Sequence, residues 1–277
     1  MSSIISPADA LAGIPGWGGK SATWRELADG LTNRTYLVER GDQAYVLRLD
    51  SKHTAAFKLD RVCELTILGQ AAARGLAPSL IFADADAGIL LSTYIPGGTW
   101  RAADLENSER LEALVELLRR VHALPTCGTT FDAKRIARRY VDNLSSHHGL
   151  HAFGITCHKI IAGHTPTGVL SCCHNDLVAE NIIAFPQPIL IDWEYASDND
   201  PLFDLASLIG YHNLSKDTAQ ELLSAYAGGT NPVLSERLEA QIRLYDAIQW
   251  LWLANRHMIT STSAQAARLE DLQQRIR

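Results

Sequence analysis

Three polar side chains occur at a spacing that suits phosphoryl transfer. Asp176 is followed five residues later by Asn181, and Asp192 comes eleven residues after that. In this chemistry one acid orients the proton of an attacking hydroxyl, while a carboxamide and a second acid hold Mg²⁺ against the nucleotide phosphates. The set therefore predicts a site that uses ATP and Mg²⁺, with Asp176 and Asn181 as catalytic residues and Asn181 and Asp192 as metal ligands.

The chain between the carboxamide and the second acid must bring these side chains together. Apolar runs at 182–184 and 189–191 flank the proline-containing stretch 185–188, a pattern typical of a short hairpin. An aspartate before an apolar run is often only a turn or cap residue, so the prediction depends on the combined spacing. His174 is expected to pack and hydrogen-bond inside the loop rather than to touch substrate.

The order of these residues resembles the catalytic loop and metal-binding aspartate of kinases. The first element reads His-Asn-Asp at 174–176 and the second reads Asp-Trp-Glu at 192–194. Both depart from protein kinases and resemble the aminoglycoside phosphotransferase and choline kinase superfamily, whose members phosphorylate small molecules. Together with the stretch Asp-Pro-Leu-Phe-Asp-Leu-Ala at 200–206, they look most like bacterial choline kinases, with thiamine kinases next.

The resemblance implies an α+β, two-lobed, protein-kinase-like fold. Residues 1–96 would form a nucleotide-binding lobe built on a small antiparallel sheet, and residues 97–277 a mostly helical catalytic and substrate-binding lobe. It also implies an ATP-dependent kinase acting on a hydroxyl of a cationic alcohol, first of all choline or ethanolamine. Thiamine, an aminoglycoside or a sugar are alternative acceptors, and a catalytically silent nucleotide-binding regulator is an alternative of another class.

A hairpin is predicted at the start of the chain, where alternating residues at 36–38 and 45–49 flank the turn Gly41-Asp42. The loop before it carries Gly30, Thr32 and Asn33. By the resemblance, Thr32 and Asn33 contact nucleotide phosphates. The alternative is an ordinary turn in which Gly30 only provides a positive φ.

The same resemblance assigns a cation and its partner to this lobe. Arg48, on the second hairpin strand, would neutralise the phosphates, and Glu64 would pair with it. The backbone of Thr93, Tyr94 and Ile95 would read the adenine edge, although a plain interlobe linker also suits this stretch.

The resemblance also implies substrate contacts from two further segments. Glu194 and Tyr195 follow the metal aspartate, and Trp250 and Trp252 lie on a predicted C-terminal helix. Glu194 would either stabilise the substrate ammonium or reach a second metal ion. Aromatic rings attract quaternary ammonium groups. Because two positions apart is about 200° around a helix, only one of the tryptophans should face the substrate.

Helical periodicity predicts the remaining elements. Helices are expected at 54–74, from Asp104 to His122, as one or two helices within 131–163, from Asp204, and as two helices within 234–277. Asp204 either accepts backbone hydrogen bonds that hold the catalytic loop, as the resemblance implies, or caps its helix.

Composition excludes several classes of protein. The 277 residues carry a formal charge of −6, which argues against a nucleic-acid scaffold. The start lacks a basic segment before an apolar core, and no apolar run reaches the roughly 20 residues of a membrane span. A cytoplasmic protein without membrane partners is expected, with its oligomeric state open. The five cysteines form no spaced framework and are expected to be buried free thiols.

Overall fold

The computed structural model describes residues 5–17, 22–29, 32–57, 59–166, 168–184 and 186–277. Two predictions fall outside these residues. They are the positive φ of Gly30 and a connector, which the glycine pair Gly18-Gly19 predicts. Phe185 of the predicted hairpin turn also lies outside them.

A five-stranded antiparallel sheet occupies the N-terminal third of the chain, in the order β1-β2-β3-β5-β4. Its strands are β1 (Thr23–Asp29), β2 (Asn33–Arg40), β3 (Gln43–Asp50), β4 (Leu80–Asp84) and β5 (Ile89–Thr93). In β3 the alternate side chains Tyr45, Leu47 and Leu49 are buried, as expected when one face of a sheet covers a core. The predicted hairpin is confirmed as β2 and β3. Strand β1 was not predicted.

One predicted helix is wrong in its extent. The stretch 54–74 contains two helices, α2 (Thr54–Phe57) and α3 (Arg61–Ala72). The carboxylate of Asp60 accepts a 3.0 Å hydrogen bond from the N–H of Cys63 and so caps α3. This cap places Arg61 and Glu64 in the first turn of α3, which faces the candidate site.

The rest of the chain is mainly helical. The helices are α1 (Pro7–Gly13) ahead of the sheet, then α4 (Ser108–His122), α5 (Ala133–Asn143), α6 (His148–Gly163), α7 (Leu202–His212), α8 (Lys216–Ala227), α9 (Pro232–Ile259) and α10 (Ser263–Ile276). Helix α4 begins later than predicted, because Asn107 caps it by accepting a 3.0 Å hydrogen bond from Arg110, while Asp104 belongs to a preceding 3₁₀ turn.

Two small antiparallel pairs carry the polar loops. Strand β6 (Ser171–Cys173) pairs with β9 (Ser197–Asn199), and β7 (Ile182–Ala184) pairs with β8 (Pro188–Leu190). The hairpin predicted between Asn181 and Asp192 is thereby confirmed. The antiparallel sheet and the helices confirm the α+β class, and the lobe boundary near residue 97 stays a prediction.

The cysteine prediction is wrong for one pair. Cys63 of α3 and Cys127, beyond α4, are joined as a disulfide, while Cys157, Cys172 and Cys173 are buried free thiols. The two bonded residues are separated by 64 positions, so no local spacing of cysteines predicts the bond. Within the described residues, no helix combines the length and apolar character that crossing a membrane would require.

Candidate active site

The structure brings Asp176, Asn181 and Asp192 to the wall of one cavity. The Nδ2 group of Asn181 donates to the backbone carbonyl of Asp176 at 2.9 Å and to its carboxylate at 3.3 Å. Burial, together with the nearby carboxylate of Asp192, raises the pKa of Asp176 to about 6. Asp192 adopts a left-handed backbone with φ of 62°, and its side chain is 41% exposed.

The loop that carries Asp176 is fixed by hydrogen bonds to Asp204. Its two carboxylate oxygens accept backbone hydrogen bonds from His174 at 2.9 Å and Asn175 at 2.7 Å. Burial alone would raise the pKa of Asp204, but its hydrogen bond with His122 and the loop contacts lower it. Asp204 lies inside α7 and is not its cap, so the structure selects the loop-holding alternative.

His174 closes the other side of this loop. Its ring is fully buried, and Nε2 lies 2.9 Å from the carbonyl oxygen of Ile191, next to Asp192. His174 therefore connects the two halves of the site, as predicted, and it does not reach the cavity surface.

The predicted ion pair of the N-terminal lobe is present. Arg48 contacts Glu64 at 2.5 Å and Asp192 at 3.8 Å. Burial alone would lower the pKa of Arg48 and raise that of Glu64, but their mutual attraction outweighs burial and shifts both the other way. Both groups are therefore charged, and Arg48 points its charge at the aspartate side of the cavity.

Sequence reasoning missed Arg61, which joins four polar side chains. It contacts Asp50 at 2.5 Å, Glu64 at 2.8 Å and Glu194 at 3.5 Å, and it donates to Asn33 at 2.9 Å. The available signal was the capping position of Asp60, which places Arg61 one helical turn before Glu64. The predicted helix over 54–74 placed Arg61 in a helix interior, so this signal was not used.

Thr32 and Asn33, predicted to contact phosphate, are engaged with Glu194. The Thr32 hydroxyl donates to one Glu194 oxygen at 3.0 Å, and Asn33 Nδ2 donates to the other at 2.6 Å. Burial and the nearby carboxylate of Asp192 raise the pKa of Glu194 to about 8. Glu194 lines the cavity, but its oxygens hold the start of β2 at the same time.

Two of the three predicted adenine-reading N–H groups are occupied. The N–H of Thr93 donates to the carbonyl of Ser79 at 2.9 Å, and the N–H of Tyr94 donates to the carbonyl of Ala44 at 3.0 Å. Of the three backbone donors, only that of Ile95 stays a candidate for a nucleotide base.

A cavity of about 860 Å³ extends from the acids toward α9 and α10. Trp252 and Tyr195 line it, and the indole N–H of Trp252 donates to the Tyr195 hydroxyl at 3.1 Å. Trp250 is 1% exposed and packs 4.8 Å from the ring of Phe153, measured between centroids. The inclusion of Trp250 among the substrate residues therefore needs correction, because its ring belongs to the helical core.

Several cavity residues had no signal in the sequence, because they are scattered over the helices and loops of the C-terminal part. They include the aromatic residues Phe131, Tyr140, Tyr211 and Tyr245 and the basic residues Arg135, Arg139, Arg256 and Arg268. Only their packing in space brings them to one wall.

Comparison with known proteins agrees with this architecture. Residues 23–245 match the family described as the phosphotransferase enzyme family. LicA of Haemophilus influenzae is 28% identical over 242 residues, a match that covers 80% of this chain and 70% of that protein.

Three solved structures of related description share this fold. Choline kinase LicA from Streptococcus pneumoniae superposes with a TM-score of 0.75 at 24% identity, covering 92% of both chains. A structure of LicA in complex with AMP gives 0.74 at 22% identity, again over 92% of both chains. A choline/ethanolamine kinase family protein from Mesorhizobium loti gives 0.73 at 24% identity, over 96% of this chain and 91% of that one. These likenesses confirm the protein-kinase-like fold.

Proposed function

Because the chain belongs to the phosphotransferase enzyme family, we propose that it transfers the γ-phosphoryl group of ATP to the hydroxyl of a small alcohol. The observation that carries the proposal is the grouping of Asp176, Asn181 and Asp192 on one cavity wall beside Arg48. Phosphoryl transfer needs little covalent work from a protein, since positioning and charge neutralisation dominate. This group of residues supplies both.

Asp176 is the proposed base. The acceptor oxygen forms a bond to the γ-phosphorus, the bond from that phosphorus to the bridging oxygen breaks, ADP leaves, and the hydroxyl proton passes to Asp176. A pKa of about 6 for this carboxyl suits the role, because a base is most effective when its pKa lies near the working pH. The 3.3 Å hydrogen bond from Asn181 fixes its orientation.

Asn181 and Asp192 fit a magnesium ion. The carboxylate of Asp192 accepts no hydrogen bond within the described part of the chain, and its one ion contact, with Arg48, is long at 3.8 Å. Asn181 uses its amide nitrogen toward Asp176, which leaves its oxygen for a ligand. Oxygen donors of this type suit Mg²⁺, and the ion would neutralise charge on the nucleotide phosphates.

Arg48 is the proposed phosphate-binding cation of the protein, oriented by Glu64. The AMP bound by a LicA structure of the same fold supports an adenine nucleotide as donor. Thr32 and Asn33 would reach phosphate through their backbone N–H groups, because their side chains hold Glu194.

Choline or ethanolamine is the first acceptor to be tested, because the relatives named above are a choline kinase and a choline/ethanolamine kinase family protein. The aromatic pair Tyr195 and Trp252 in the cavity wall supports an ammonium group, which aromatic faces attract.

The experiment is a measurement of ADP release with choline, ethanolamine, thiamine and an aminoglycoside as acceptors. Asp176→Asn should lower kcat by about 10³-fold while the protein stays folded, the scale of a lost general base. Glu180→Gln is the matched control, because that acid lies in the same loop with a side chain 55% exposed. Tight MgATP binding without ADP release for every acceptor would indicate a regulator. Near-normal turnover by Asp176→Asn would remove Asp176 from the base role.

A further inference from the structure

Arginine side chains line the part of the cavity formed by α5, α9 and α10. They are Arg135, Arg139, Arg256 and Arg268. Four cations in an acceptor cavity are unexpected if the acceptor is only a cationic alcohol, because like charges repel. The partners of each guanidinium decide which of them carries charge available to a ligand.

Three of these arginines are engaged within the protein. Arg135 pairs with Asp132 at 3.6 Å, and Arg268 pairs with Asp271 at 3.1 Å. Arg139 donates to a backbone carbonyl at 2.9 Å. The Nε of Arg139 is also buried without a partner, but each of these three arginines has at least one guanidinium contact within the protein.

Arg256 is different. Its guanidinium carbon lies 5.3 Å from the ring centroid of Trp252, one helical turn away. It forms no ion pair and no side-chain hydrogen bond with a described residue, and its Nε is buried without a partner. Contact with a ring face stabilises the charge but uses none of the five N–H donors of the group.

Arg256 shares its environment with the proposed base. Tyr211 lines the same cavity. Burial and the carboxylates of Glu180 and Asp176 raise the pKa of the Tyr211 phenol, whereas Arg268 and Arg256 lower it. Asp176, Tyr211 and Arg256 all line this one cavity, so the unpaired cation and the proposed base border the same space.

We propose that Arg256 binds an anionic group of the acceptor, so that an alcohol carrying a carboxylate or a phosphate ester is preferred over the matched alcohol without that group. The inference rests on the proposed function. A guanidinium matches either oxyanion with paired hydrogen bonds. The cavity of about 860 Å³ has room for such a group. The ring face of Trp252 contacts the guanidinium and stabilises its charge.

The test compares acceptors that differ by one anionic group: ethanolamine against serine, and glycerol against glycerol 3-phosphate. The first pair adds a carboxylate and the second a phosphate, so the two arms distinguish the sources of negative charge. Wild type, Arg256→Gln and the control Arg243→Gln are assayed with MgATP. Arg243 lies on the same helix, is exposed, and does not line the cavity.

Wild type and Arg243→Gln should prefer the anionic member of at least one pair in kcat/KM, and Arg256→Gln should lose about tenfold or more of that preference, the scale of a lost charge-assisted hydrogen bond. The loss should appear in the acceptor KM, with the KM for ATP unchanged. Preference of wild type for ethanolamine over serine together with glycerol over glycerol 3-phosphate, or an undiminished anionic preference in Arg256→Gln, would overturn the anion subsite. Choline turnover in that case would leave the proposed function standing.

A binding measurement decides the matter if none of these acceptors is turned over. Serine and glycerol 3-phosphate are titrated into each protein with saturating MgADP, with tryptophan fluorescence as the signal because Trp252 lies against Arg256. A dissociation constant about tenfold weaker in Arg256→Gln supports the subsite, whereas equal constants or no binding to wild type refute it. Absence of any phosphorylation, including that of choline, counts against the proposed function alone.

Discussion

The side-chain amide of Asn33 donates a 2.6 Å hydrogen bond to the carboxylate of Glu194, which lies 161 positions further along the chain. This contact, reinforced by Arg61 at 3.5 Å from the same carboxylate, joins the first residue of β2 to the loop that carries Asp192. Glu194 therefore couples the N-terminal sheet to the acid side of the cavity. Its buried, titratable carboxyl group leads to the first prediction.

We expect the stability of metal-free protein to fall as pH rises from about 6.5 to about 8. Burial and Asp192 raise the pKa of Glu194 to about 8 in the folded state. The folded protein then binds this proton more tightly than the unfolded chain, so the stabilisation is present at low pH and is lost as pH rises through the folded pKa. Burial lowers the pKa of His164 and His212, so both are neutral in this window.

Calorimetric melting in EDTA across that window is the measurement. Glu194→Gln should flatten the slope, and added Mg²⁺ should reduce it because a bound cation offsets the carboxylate charge. Equal slopes for wild type and Glu194→Gln would show that Glu194 does not titrate there.

Glu64→Gln should destabilise the fold and weaken nucleotide use. Glu64 is fully buried between Arg48 and Arg61, so the substitution leaves two guanidinium groups without their shared carboxylate. A loss of about 3 kcal/mol in unfolding free energy is expected, measured by urea denaturation, together with a raised KM for MgATP. Glu39→Gln, an exposed position of β2, is the control. If Glu64→Gln lowers the unfolding free energy no more than Glu39→Gln does, the carboxylate of Glu64 does not stabilise the fold through Arg48 and Arg61.

Trp250 and Trp252 should separate stability from acceptor binding. Trp250→Ala removes a fully buried ring packed on Phe153 and should cost about 3–5 kcal/mol of unfolding free energy. Trp252→Leu should cost less and should raise the acceptor KM, because its ring lines the cavity and its N–H bonds Tyr195. Each variant is the control of the other. A raised acceptor KM in Trp250→Ala, with the larger loss of stability in Trp252→Leu, would instead place Trp250 at the substrate.

Cys63→Ser should lower thermal stability. The disulfide to Cys127 closes a loop of 64 positions, for which chain entropy predicts about 4 kcal/mol of stabilisation. Melting with and without a thiol reductant measures it, and Cys157→Ser, a buried free thiol, controls for loss of a sulfur. If reductant shifts Cys63→Ser as much as it shifts wild type, the stabilisation has another source.

Local sequence patterns determined several hairpins and helices of this protein and the grouping of its catalytic side chains. The spacing of Asp176, Asn181 and Asp192 around a proline-containing hairpin required these side chains to meet, because hairpin formation depends on a short stretch of chain. Alternation identified β2 and β3, and periodicity identified the long C-terminal helices. Family likeness then supplied the pairing of Arg48 with Glu64, which the structure contains at 2.5 Å.

Other features were decided only by tertiary structure. Glu194 was expected to face substrate and Asn33 to face phosphate, but the folded chain bonds them to each other. Cys63 and Cys127 meet because α3 lies beside the segment that follows α4. No described acid forms an ion pair with Arg256, and its Nε is buried without a partner, although acids are common in the sequence. Sequence spacing governs contacts within an element or a turn, whereas contacts between distant elements depend on how those elements pack.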